Sequence, residues 1–101
     1  MIRILLASSF AGSSRYLESL LPSLAEHQLT VLLVASGVGA EVLKNDGYKV
    51  DHILDVDGIA VSRVFDSFVP DVVFVVPQFS ESLEELVIVE ARSRNIPSLA
   101  G

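Results

Sequence analysis

The sequence predicts an α/β protein built on a doubly wound, five-stranded parallel sheet. Short apolar, β-branched runs alternate along the whole chain with segments whose apolar residues recur at helical spacing. Strands separated by helices cannot pair as hairpins, so right-handed crossovers place helices on both faces of a parallel sheet. The run from Val72 to Val76 has no polar alternation, which is typical of a central strand covered on both faces.

The first half of the chain contains two strand–helix units. Strands are predicted at Ile2 to Ala7 and Thr30 to Ala35. The first helix needs a late start or a kink, because Pro22 lies inside its pattern. The second helix is predicted from Gly39 to Asp46, with Gly47 as a left-handed cap. The apolar face of the first helix consists of four leucines at helical spacing: Leu17, Leu20, Leu21 and Leu24.

A third strand–helix unit follows. A short strand is predicted at His52 to Leu54, and the next helix ends before Pro70. The i, i+3, i+4, i+7 stripe of this helix is formed by Val61, Val64, Phe65 and Phe68.

The last helix carries the most local signals. Ser82 and Glu85 match the S-x-x-E capping box, and Glu90 and Arg94 stand at i, i+4. Its apolar face is formed by Leu83, Leu86, Val87 and Ala91, and Asn95 and Pro97 end it. A fifth strand is predicted at Ser98 to Ala100. The whole is a Rossmann-like or flavodoxin-like three-layer α/β/α arrangement.

Length and composition predict one acidic domain over residues 1–101. The fifth strand is short when Gly101 is reached, which indicates either the N-terminal part of a longer protein or a minimal five-strand domain. The formal net charge of −6 argues against nucleic acid or an anionic membrane as a general partner. Cysteine is absent, and no apolar stretch is long enough to cross a bilayer. We therefore expect a cytoplasmic domain.

Ligands of open parallel sheets bind beyond the carboxyl ends of the strands, near the point where strand order reverses. The loop after the first strand brings Ser9, Gly12 and Ser13 to a helix start, where hydroxyls and free N–H groups can bind a phosphate. The glycine-rich dinucleotide pattern and the lysine-containing phosphate loop are both missing. The alternative is that Ser13 or Ser14 caps the first helix and the other residues form a turn.

Two further loops at the same edge contain candidate ligand-binding residues. Gly37 and Gly39 either allow a tight turn into the second helix or let a ligand lie against the backbone, where Glu41 could face a sugar hydroxyl. After the fourth strand, "PQFSES" places Gln78 beside an aromatic ring, a mixture that suits a sugar or a base. The alternative for this loop is a helix cap.

The loop "DVDG" is a weak candidate for a metal site. Asp55 and Asp57 could hold Mg²⁺ through carboxylate oxygens. No third carboxylate stands at recognisable spacing, which favours Asp57 as the cap of the third helix, with Gly58 easing the turn. His27 and His52 are predicted at the opposite edge of the sheet from these loops, so neither is placed to activate a loop serine and no catalytic residue is assigned. No cofactor is expected to be required.

Four stretches together resemble the N-terminal Rossmann-like half of GT-B glycosyltransferases and related sugar-nucleotide enzymes: "LLPSLAEHQLTVLLVASG", "GAEVLKNDGYKVDHI", "VPDVVFVV" and "EARSRNIPSLA". In that family this half mainly receives the acceptor, and the other half holds the sugar nucleotide. The loop from Ser9 to Ser13 matches the family's glycine-rich acceptor loop in place, but retains only Gly12. The family's catalytic His or Asp has no counterpart here, so the chain is not expected to catalyse transfer alone.

Two other families share this predicted topology. Receiver domains carry acids at the end of the first strand, where this chain has Ser8 and Ser9, so an unphosphorylated, receiver-like interaction module stays open. The segment "IPSLAG" is similar to the region before an ATP-grasp ligase domain. The first expectation is a domain that binds a nucleotide, sugar or sugar nucleotide. The second is a module that binds a protein partner or itself.

Overall fold

The computed structural model describes residues 2–27, 29–54, 57–76 and 82–100. Within these ranges strands and helices alternate as predicted. The strands are β1 (Arg3–Ser8), β2 (Thr30–Ala35), β3 (His52–Ile53), β4 (Val72–Val75) and β5 (Ser98–Ala100). The helices are α1 (Ala11–Glu26), α2 (Gly37–Asn45), α3 (Gly58–Ser67) and α4 (Leu83–Ser93).

The strands form one parallel sheet in the order β3-β2-β1-β4-β5. The predicted doubly wound α/β class is confirmed, and the order is the Rossmann one. Receiver and flavodoxin-like domains have the order 2-1-3-4-5 instead, so this chain does not have the receiver topology. The strand order reverses between β1 and β4, which places the expected ligand crevice beyond their carboxyl ends.

Two apolar cores lie on the two faces of the sheet. Successive residues of β1 alternate between them, since neighbouring side chains of a strand point to opposite faces. The helices α3 and α4 cover the first face, whose core includes Leu5, Ala7, Phe65, Val73, Val75 and Val87. The helices α1 and α2 cover the second, whose core includes Ile4, Leu6, Leu17, Leu33 and Leu43.

β4 is covered to different extents on its two faces. Val73 and Val75 are fully buried beneath α3 and α4, while Val72 and Phe74 on the other face are half-buried. The second face of β4 is covered less completely than the first: Val72 and Phe74 pack against the core beneath α1 and α2, and the Tyr16 ring of α1 stacks on Phe74 with 6.0 Å between ring centroids. This leaves an apolar cavity of about 180 Å³, the β4–β5 groove, lined by Ile4, Leu6, Leu20, Leu24, Val72, Phe74 and Leu99.

The helix boundaries confirm some predicted caps and correct others. Asp57 accepts a hydrogen bond from the Ile59 N–H at the start of α3, as predicted. Ser82 does the same for Glu85 in α4. The first helix differs: it begins at Ala11, before Ser13 and Ser14, and continues through Pro22, so neither serine is its cap.

Arg94 forms the predicted ion pair with Glu90 at the end of α4 and also links α4 to α3. The Nε of Arg94 donates to Glu90 at 2.6 Å, and its second nitrogen donates to Asp66 of α3 at 2.8 Å. The guanidinium also lies over the Phe65 ring, 5.5 Å from its centroid. These hydrogen bonds, chiefly the one to Glu90, raise the pKa of Arg94.

Candidate functional site

The loops that follow β1 and β2 are held against each other at the carboxyl edge of the sheet. The Ser36 N–H donates to the Ser8 carbonyl at 3.0 Å, and the Gly39 N–H donates to the Ser9 carbonyl at 3.3 Å. A Cβ on Gly39 would lie 2.8 Å from the Ser9 carbonyl carbon and 3.0 Å from the Phe10 nitrogen. Gly39 is thus required by the close approach of α2 to this backbone, a reason that neither sequence interpretation included.

Buried hydroxyl groups strengthen the same contact. The Ser14 hydroxyl donates to the Gly39 carbonyl at 3.0 Å, and the Ser8 and Ser14 oxygens are 2.6 Å apart. The Ser8 hydroxyl also lies within hydrogen-bond distance of the Phe10 carbonyl, at 3.3 Å. Ser14 therefore joins α1 to α2, in place of the capping role expected for it.

A buried carboxylate links the first loop to α4. Glu84, in the first turn of α4, is fully buried and accepts from Ser9 twice. The Ser9 N–H donates to one carboxylate oxygen at 3.1 Å, and the Ser9 hydroxyl donates to the other. A negative charge in this first turn is favoured by the positive end of the helix dipole. This contact spans the point between β1 and β4 at which the strand order reverses.

Glu84 was not among the residues predicted from the sequence to lie in the site. A glutamate in the first turn of a helix is ordinarily a solvated residue beside a capping box. A signal was nevertheless present, because Glu84 is in helical register with Val87 and Ala91, and both are buried. A charged residue at the head of a buried stripe indicates a specific partner inside the protein.

The other predicted site residues fall into three groups. Gly12 and Ser13 lie in the first turn of α1, at the same edge as Ser9, and the Ser13 side chain is outside the described part. Gly37 begins α2 with a φ of 53°, a left-handed conformation that glycine adopts without strain. Gln78 lies outside the described residues.

The weak metal candidates are not brought into a site by the described residues. Asp57 is an exposed helix cap, and Asp55 lies outside the described ranges. Among residues 2–27, 29–54, 57–76 and 82–100, no three potential His or carboxylate ligands cluster. His52 pairs with Val34 near the carboxyl end of β2, closer to this edge than predicted, but it is exposed on the outer strand β3.

Two carboxyl groups, Glu18 of α1 and Asp46 at the end of α2, lie close to each other. Burial raises the pKa of Glu18, and the neighbouring Asp46 carboxyl raises it further. The charge of Arg15 lowers the pKa of Glu18, and the Arg15 guanidinium lies 3.9 Å from the Asp46 carboxylate. The Glu18 carboxyl therefore holds its proton more tightly than an exposed glutamate does.

These contacts define a class of site. The first turns of α1, α2 and α4 all begin at the carboxyl edge of a Rossmann-like sheet, and they are joined there by Ser9, Gly39 and Glu84. Helix N-termini and a glycine-bearing loop can position a ligand. Doubly wound domains bind their ligands at this edge, which makes it the candidate site of this chain.

Solved structures with the same fold come from enzymes of sugar nucleotides. A Listeria monocytogenes protein assigned as a UDP-N-acetylglucosamine 2-epimerase matches over 98% of this chain, with a TM-score of 0.80 and 13% sequence identity. S. aureus MnaA, solved with UDP, matches over 99% with a TM-score of 0.82 and 16% identity. MurG from Acinetobacter baumannii matches over 99% with a TM-score of 0.81 and 13% identity.

These neighbours are GT-B-type enzymes, so the predicted resemblance to a Rossmann-like half of that architecture is confirmed at the level of the fold. The chain spans 30%, 29% and 34% of the length of the three neighbours, respectively. No protein-family model and no curated protein matches the sequence. Within the described residues, no helix is long and apolar enough to cross a membrane.

Proposed function

We propose that this chain is a ligand-binding domain of a sugar-nucleotide enzyme, equivalent to the acceptor-side half of a GT-B glycosyltransferase. The observation that carries the proposal is that the β1–α1 loop is bound to both α2 and α4 at the switch point, because Ser9 hydrogen-bonds to Gly39 and to Glu84. The full-length likeness to GT-B-type enzymes supports it. The ligand is a sugar or sugar nucleotide, and catalysis of transfer needs groups beyond this domain.

The direct test is a titration followed by amide NMR. We expect N-acetylglucosamine or UDP-N-acetylglucosamine to shift the amide resonances of Ser9, Gly37 and Gly39. The amides of Lys49 and Asn95, which lie in the loops before β3 and after α4, serve as internal controls and stay unchanged. Shifts spread equally over all five positions, or absent from the three site positions, would contradict the proposal.

A second candidate function is a protein-interaction module, and the β4–β5 groove favours it. Leu99 is 56% exposed on the edge strand β5, beside a cavity with an entirely apolar lining. Replacing Leu99 with lysine would weaken any association through this face, whereas Val89→Lys on α4 serves as a control at an equally exposed apolar position. Sedimentation velocity over a range of concentrations measures the effect; equal behaviour of the two variants would reject this candidate.

A further inference from the structure

The hydrogen-bond donors of the β1–α1 loop that face α4 are already used inside the protein. Both donors of Ser9, its N–H and its hydroxyl, go to the two oxygens of Glu84. Phosphate sites at strand–helix junctions work in the opposite way, because their loop N–H groups are turned toward an external anion. In this chain a carboxylate from α4 takes the place of that anion.

The carboxylate also affects any ligand through its charge. Glu84 is fully buried, and the interior around it screens charge less than water does. An anionic group brought to Ser9 must either displace Glu84 from its donors or lie close to a like charge. A neutral sugar hydroxyl neither displaces Glu84 nor is repelled by it, and an amine is attracted by the nearby negative charge.

We propose that Glu84 is a specificity-determining residue of this site, which makes the β1–α1 loop reject anionic groups and receive a neutral or cationic part of the ligand. This inference rests on the proposed binding function of the site. It assigns the uncharged sugar portion of the ligand to the Ser9 loop and any phosphate to a position away from it. Glu84 acts through Ser9 and through its charge, without contacting the ligand.

A series of sugars that differ in charge tests the inference on the unmodified chain. Glucosamine, glucose and glucose 6-phosphate share a ring and carry positive, neutral and negative charge. From the amide shifts of Ser9, Phe10 and Gly39, we expect glucosamine to bind at least as tightly as glucose. Glucose 6-phosphate should bind about tenfold more weakly than glucose, or worse. The reverse order, with the phosphate sugar binding tightest at this loop, overturns the inference.

The variant Glu84→Gln removes the charge while keeping the side-chain size. It should raise the affinity of the loop for glucose 6-phosphate about tenfold relative to its affinity for glucose. The matched control is Glu85→Gln, because Glu85 is the adjacent, exposed residue, and its loss changes the net charge equally. An equal gain in both variants would show a bulk charge effect and overturn the role of Glu84.

A further variant and a titration with inorganic phosphate cover the remaining outcomes. If Glu84→Gln loses its native NMR spectrum, the series of charged sugars on the unmodified chain tests the inference instead. The variant Ser9→Ala is then added, because it removes a hydrogen-bond donor but retains the Glu84 carboxylate. It should still bind glucose 6-phosphate more weakly than glucose. If no sugar shifts any site amide, the proposed binding function fails. Inorganic phosphate then tests Glu84 alone: a Ser9 shift in Glu84→Gln that the unmodified chain lacks supports its role, and no such gain overturns it.

Discussion

Replacing Gly39 with alanine should destabilise the protein even though the position is helical. The new Cβ would lie 2.8 and 2.9 Å from two Ser9 backbone atoms and 3.0 Å from the Phe10 nitrogen. Backbone atoms cannot rotate away as a side chain can, so the cost belongs near the top of the overpacking range, about 3 kcal/mol. Alanine regains about 1 kcal/mol of helix propensity. The net loss is about 2 kcal/mol in the free energy of unfolding, or roughly 8 to 16 °C in Tm for a domain of this size.

The matched control for this substitution is Gly58→Ala at the start of α3. A Cβ there meets nothing within 4 Å, and the residue has no left-handed φ. It should stabilise the protein by about 0.5 to 1 kcal/mol through the unfolded chain. Urea unfolding of both variants measures the difference. If Gly39→Ala is as stable as Gly58→Ala, the close approach of α2 to the first loop is not what requires glycine.

Three further substitutions test the helix ends and the charged contacts. Because burial raises the pKa of Glu18, the folded state binds this proton more tightly than the unfolded chain, and this group's contribution to stability falls as pH rises through the raised value. Glu18→Gln should therefore reduce the loss of stability between acid and neutral pH in urea unfolding. Ser82→Ala removes the α4 cap and should cost about 1 kcal/mol, more than Ser36→Ala, whose side chain makes no cap hydrogen bond in α2. Arg94→Met should lower the Tm, and high salt should reduce the difference from the unmodified chain, because ion pairs at the surface are screened.

Each of these expectations has an outcome that contradicts it. An unchanged pH dependence in Glu18→Gln would show that the raised pKa does not affect stability. If Ser82→Ala and Ser36→Ala lose the same free energy of unfolding, the α4 cap hydrogen bond makes no measurable contribution to stability. A Tm difference for Arg94→Met that is the same at all salt concentrations would assign the contact to packing on Phe65, with no measurable part from its charge.

Features set by neighbouring residues could be predicted from the sequence. The caps at Asp57 and Ser82 and the left-handed turn at Gly47 depend on side chains within a few residues, so local patterns suffice. The first helix is the exception: its start was expected at a serine, but Ser14 hydrogen-bonds to Ser8 and Gly39 instead. A tertiary contact there overrides a common local preference.

The sequence by itself determined the α/β class and its parallel sheet, because both follow from periodicity and from the alternation of strands with helices. It also indicated the edge at which a ligand would bind, since that edge follows from the direction of parallel strands. Only the tertiary structure decided the strand order, the incomplete cover on one face of β4 and the pairing of Ser9 with Glu84. Those residues are 75 positions apart. Their contact exists because β1 and β4 are neighbours in the sheet, and local periodicity contains no information on which strands become neighbours.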